Sequence, residues 1–140
     1  MSDRSRLIFH GAIVLLAGLL CGLPTVNEAG NQSERVWHTA HEALIMMGIW
    51  MLVMSSVRSA LVLPRREAAL LVWLLLAMGY GFMVALVMGG LLGISPFTPG
   101  TTVAAFTAFV AAVIGIFGAV MATLVTLRGA HAAARGEPDR

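Results

Sequence analysis

His38, His41 and Glu42 stand within the run Trp37-His38-Thr39-Ala40-His41-Glu42. At offsets of three and four residues they share one face if the run is helical. An imidazole that faces an apolar interior is costly without a partner, so histidines at the mouth of a membrane span mark a candidate functional site. Three kinds of chemistry suit the pattern. One is an interfacial polar cluster, hydrated among headgroups. The second is a single axial imidazole on a haem. The third is a small metal site that uses both histidines and Glu42. Such a site usually draws further ligands from other helices, and the apolar stretches 68–93 and 102–127 contain no His, Asp or Glu. That weighs against the third reading unless subunits share ligands.

The surrounding residues bear on the haem reading. Gly48 lies seven residues after His41, two helical turns along and about 10 Å deeper. A glycine there removes a side chain that would block a flat cofactor lying on this helix. Met47, Met51 and Met54 supply polarizable packing nearby, or plain core. Arg35 and His38 are placed to meet propionates at the outer surface. Arg58 is about 25 Å from His41 along a helix, too far for that role, and is expected to snorkel to the opposite face. His10 is a second imidazole inside an apolar stretch, near the other edge. The vertical gap to His41 is estimated at about 20 Å or more, so the two should not share one iron, and His10 is expected to bond or orient a neighbouring helix. Tyr80 lies mid-membrane in Met78-Gly79-Tyr80-Gly81-Phe82. A phenol there needs a partner: a substrate oxygen, which would make Tyr80 catalytic, or a backbone carbonyl.

These residues must be positioned by apolar elements. The 140-residue chain is 59% hydrophobic and 11% charged, with mean hydropathy +0.88, against the roughly 25% charged residues of a soluble domain. Four apolar stretches, about Leu7–Val26, Thr39–Leu63, Ala68–Gly93 and Thr102–Leu127, each reach the ~20 residues that cross a bilayer. The expected fold is all-α: a polytopic membrane four-helix bundle forming one transmembrane domain over 1–140, with 128–140 as a cytoplasmic tail. Pro24, Pro64, Pro96 and Pro99 fall at span ends, where a missing N–H does little harm. The first stretch follows Arg4 and Arg6 like a signal peptide, but His10 interrupts it and no small-x-small site follows, so it is read as a retained helix.

All nine basic residues are arginine. Arg4, Arg6, Arg65, Arg66, Arg128, Arg135 and Arg140 flank alternate ends, whereas the loop 27–38 has only Arg35 and the loop 94–101 has none. The positive-inside rule then puts both termini in the cytoplasm and the His38/His41 end outside, which is the periplasm if the source is bacterial. Gly18 and Gly22 form a GxxxG pair. Ala104, Ala108 and Ala112, then Gly115, Ala119 and Thr123, recur every four residues, a spacing that lets helices approach closely. Four thin helices enclose little volume, which makes a homo-oligomer with shared sites attractive. Cys21, the single cysteine, is expected to fill core. There is no Ser/His/Asp set, glycine-rich phosphate loop or paired carboxylates, and no basic stripe for nucleic acid.

Three segments resemble the styrene oxide isomerases, small four-helix membrane proteins. They are His10-Gly11 with the run ending Leu19-Leu20-Cys21-Gly22, the pattern Trp37-x-x-Ala40-His41 with Gly48 seven residues on, and Phe97-x-Pro99-Gly100 before the last stretch. The resemblance implies a homotrimer that holds haem b at subunit interfaces, with His41 as axial ligand and Trp37, Met47 and Gly48 of the same segment around the cofactor, beside the rim residues Arg35 and His38. The implied reaction is the Meinwald rearrangement of a small apolar epoxide, styrene oxide, to phenylacetaldehyde. Ferric iron acts as Lewis acid on the epoxide oxygen, the C–O bond opens toward a benzylic cation, and a hydride migrates. The family carries an asparagine one residue before the glycine, where this chain has Met47. It also has polar residues and a tyrosine in the third helix, where this chain offers Tyr80. A haem protein without isomerase activity and an accessory membrane subunit stay open beside the isomerase.

Overall fold

The structure, a computed structural model, describes residues 2–24 and 32–136. Four helices follow one another: α1 (Asp3–Cys21), α2 (Gln32–Val57), α3 (Arg65–Leu92) and α4 (Val103–Ala134), with a 3-10 turn at Arg58–Ala60 after α2. No strand occurs among the described residues. All four helices have the length and hydropathy of membrane spans. The chain is an all-α integral membrane protein.

The helices do not end where the apolar stretches end, because hydrogen bonding rather than hydropathy sets a terminus. α1 starts at Asp3, four residues before Leu7, since Ser2 caps it by accepting the Ser5 N–H at 3.2 Å. It stops at Cys21, short of Val26, which lies outside the described residues. α2 starts at Gln32 rather than Thr39, so Arg35, Trp37 and His38 are helical, not loop. It tightens into the 3-10 turn instead of running to Leu63, since Leu63, as the residue before a proline, is disfavoured in the α region, and Pro64 is the N-cap of α3. α3 closes on Gly93, whose φ of 63° suits glycine. α4 is capped by the Thr102 hydroxyl, which accepts the Ala105 N–H at 3.2 Å, and overruns Leu127 to Ala134.

α1 packs mainly on α2, and α4 mainly on α3, while α3 also meets α2 and α1. α3 is therefore the central helix and α4 lies to its outer side. The core joins Leu7 and Val14 of α1, Leu44 and Met51 of α2, and Leu71, Leu75 and Leu86 of α3, all essentially inaccessible. Met54 and Cys21 are buried with them. Small residues permit the tight crossings. A side chain on Gly81 would meet the Gly115 backbone at 2.6 Å, and one on Gly118 would meet the Met78 backbone at 2.7 Å. The buried stripe of α4 is Ala105, Ala108, Ala112, Gly115, Gly118, Ala122 and Gly129, which keeps Ala108, Ala112 and Gly115 of the row in steps of four but not its outer members. Steps of four advance 40° too far per step on a helix of 3.6 residues per turn. The row therefore leaves the interface at its end, where Thr123 is exposed, its hydroxyl donating to the Ala119 carbonyl at 2.8 Å.

One end of the bundle holds the start of α1, the end of α2, the start of α3 and the end of α4. Arg58 donates to Asp3 at 2.8 Å and Arg128 pairs with Glu67 at 2.8 Å, tying α2 to α1 and α4 to α3. Arg58 thus reaches a carboxylate of its own chain rather than only extending to a membrane surface.

Candidate functional site

His41 projects from α2 onto the last turn of α1. Its Nδ1 lies 2.9 Å from the Gly18 carbonyl oxygen. A carbonyl only accepts, so Nδ1 carries the proton and donates. The neutral ring then keeps its lone pair on Nε2. Gly18 is one of the last four residues of α1, whose carbonyls lack the usual partner four residues on. Gly22, one turn further, forms the floor of the ring: a Cβ there would lie 2.8 Å from Nδ1. The GxxxG pair therefore works within the chain and for two purposes. Gly18 also lets α1 reach the α2 backbone, at 2.7 Å from Ile45 N to the position of an added Cβ.

A metal-ligating histidine ordinarily donates its other N–H to a carbonyl or carboxylate, which fixes the tautomer and aims the lone pair. His41 has that arrangement, and its ring is half-buried rather than sealed. The donor thus fits a single axial imidazole. His38 and Glu42 do not join it. They pair with each other at 3.7 Å while both side chains are about two-thirds exposed. No group of three His, Cys, Asp or Glu residues gathers among the described residues. The three-ligand site from these side chains is not assembled: although they share one helical face, His41 turns its Nδ1 to the Gly18 carbonyl of α1, while His38 and Glu42 pair with each other at the exposed surface.

Gly48 has a use different from the expected one. A Cβ there would lie 2.7 Å from the Leu15 backbone N and Cβ, so the missing side chain admits α1. A flat cofactor cannot occupy that same space while α1 is docked. Met47 is half-buried against the core rather than facing an open cavity. Trp37 is buried, 9% exposed, and its indole covers Gly90 of α3, where an added Cβ would lie 2.6 Å from a ring carbon. Ser33 donates to the Gly90 carbonyl at 2.9 Å beside it. Trp37 thereby fastens α2 to α3 one helical turn before His41. Arg35 is exposed, and its carbonyl accepts the Thr39 hydroxyl at 2.8 Å.

Tyr80 is not brought to His41. Its hydroxyl sits 2.7 Å from His10 Nδ1, with the two rings edge to face at 5.6 Å. The phenol's partner is an imidazole, neither a backbone carbonyl nor an open substrate position. His10 and Gly18 are eight residues apart on α1, about 12 Å along the axis. The gap between the two histidines is therefore shorter than the ~20 Å expected from span edges, because α1 ends early, at Cys21, and the His41 ring meets it at Gly18, three residues before that end. It is still too long for both rings to bind one iron.

Sequence reasoning singled out His41 and missed its partner. Gly18 was legible as a packing residue; its carbonyl became legible as an acceptor only once α1 ended at Cys21. The comparisons with known proteins bear on the same segments. A search of curated proteins and a search of solved structures found no match. Residues 3–131 match the family described as styrene oxide isomerase. That range takes in all three resembling segments and nearly all of the four helices, and the chain belongs to the styrene oxide isomerase family.

Proposed function

We propose that the protein is a haem b-dependent membrane isomerase that converts a small aryl epoxide of the styrene oxide type to the corresponding aldehyde. Family membership supports the reaction class. The observation that carries the cofactor is the 2.9 Å bond from His41 Nδ1 to the Gly18 carbonyl, which leaves Nε2 as the atom that would ligate, on a partly buried residue. When bound, ferric haem supplies a Lewis acid for the epoxide oxygen. The chain's own part is to hold and shield. Gly18 keeps the Nδ1 proton in place, Gly22 sets the ring against α1, and Trp37 fixes the start of α2 on α3. Met46, Ile49 and Trp50 form an apolar, outward-facing surface beyond His41 on α2. In an assembly, that surface would exclude water from an electron-poor carbon. Arg35 and His38, both exposed at the rim, would meet propionates.

The assembly we infer is a homotrimer whose subunits share the cofactor, since α1 already fills the face of α2 that carries Gly48. The arginine-rich end would lie inside a bacterial cytoplasmic membrane, with both termini there and the His41 end outside. Conversion of styrene oxide to phenylacetaldehyde by membranes containing the protein is the expected outcome, and His41→Ala abolishes it. Equal turnover by His41→Ala contradicts the assignment. Met47 favours a second reading, a haem protein without this activity. Its half-buried thioether offers no hydrogen bond to an epoxide oxygen at the position where the family has an asparagine. Haem binding with no turnover of styrene oxide would select that reading.

A further inference from the structure

We propose that a cleft at the arginine-rich end of the bundle binds a phosphate-bearing anion. The cleft has a volume of about 590 Å³ and lies between the start of α1, the end of α2 and the start of α3. Arg4, Arg58 and Arg65 line it, together with Ser55, Ser56 and Ser59. The charges do not cancel within the chain. Arg58 is neutralised by Asp3 at 2.8 Å. Glu67, in the first turn of α3, is paired through Oε1 with Arg128 at 2.8 Å, and its Oε2 is buried without a hydrogen-bond partner among the described residues. Arg4 and Arg65 have no carboxylate partner among the described residues. Two uncompensated guanidinium groups therefore face one cleft.

A guanidinium presents parallel N–H donors that match phosphate oxygens, and it is weakly hydrated. The backbone adds to this. Arg65 and Ala68 of the first turn of α3 line the cleft, and Pro64 gives that 28-residue helix no side-chain cap. The first N–H groups of such a helix and its dipole favour an anion. The wall continues into Leu61 and Leu63, so the polar mouth adjoins apolar surface where the helices enter the membrane. That combination suits the headgroup phosphate of an anionic phospholipid. Free phosphate shares the recognising chemistry without the apolar part.

The test uses the full chain purified in detergent. Native mass spectrometry compares retention of phosphatidylglycerol with that of phosphatidylcholine, and thermal unfolding is followed with and without inorganic phosphate. The wild type should retain phosphatidylglycerol in preference to phosphatidylcholine. Arg4→Gln/Arg65→Gln should weaken that binding about thirtyfold, at roughly one surface-arginine contribution per residue. Arg66→Gln/Arg135→Gln removes equal charge outside the cleft and should leave it unchanged. Absence of lipid preference with phosphate protection confined to chains that keep Arg4 and Arg65 would support the site with free phosphate as its occupant. Neither preference nor protection in the wild type, or equal weakening in both double variants, overturns the proposal. The wild-type arms decide even if a variant fails to fold.

Discussion

His41 owes its chemistry to atoms outside its own helix. On a lone helix an imidazole at this position would have either nitrogen protonated, and hydration would decide between them. The Gly18 carbonyl decides instead, and Gly22 keeps the ring where that bond can form. Crowding of the ring is therefore as damaging as loss of a ligand's orienting partner. In Gly22→Ala the new Cβ would sit 2.8 Å from Nδ1, the ring must move away from Gly18, and haem affinity should fall about tenfold or more. Haem titration of the purified variant checks this; unchanged affinity would show that the Gly18 bond does not set the ligand. Tyr80 teaches the opposite lesson. A phenol in an apolar span reads as needing a substrate oxygen or a backbone carbonyl, yet it is satisfied by His10 at 2.7 Å. The sequence places both residues inside the membrane but does not say that they are at one depth on facing helices.

Between elements, contact distance is set by what is missing from the side chains. α1 reaches α2 through Gly18 and Gly48, and α3 reaches α4 through Gly81, Gly115 and Gly118. In lipid, helices gain little from hiding apolar surface, and association rests on such close packing. Gly81→Leu should push α4 away from α3 and destabilise the bundle by about 1–3 kcal/mol. A lower melting temperature in detergent reports it, and an unchanged one would mean that α4 docks by another face. The four spans, their order and the membrane class were legible because long apolar runs have few other solutions. Helix ends were less so: Gln32–Val36 looks like loop by hydropathy but is helical by hydrogen bonding. The pairing of α1 with α2 and the outlying place of α4 were not legible, because small residues mark a contact without naming its partner. For that reason Gly48 resembled a cofactor cradle and proved to be the seat of Leu15.

As a whole, the molecule leaves wide apolar surfaces on α2 and α4. Trp50 and Val53 of α2, and Phe106, Phe117 and Leu124 of α4, are among the exposed large side chains. Lipid can cover them, and so can neighbouring copies. The proposed shared cofactor requires copies, so the detergent-solubilised protein should have the mass of a trimer after subtraction of bound detergent. A monodisperse monomer that still holds haem would contradict sharing between subunits. The central claim is that His41 alone ligates a haem, and the visible absorption spectrum of protein purified from haem-replete cells, oxidised and reduced, tests it most directly. A Soret band in the wild type and in His38→Ala, lost in a folded His41→Ala variant, is the predicted result. A colourless wild type, or an unchanged band in His41→Ala, would contradict it.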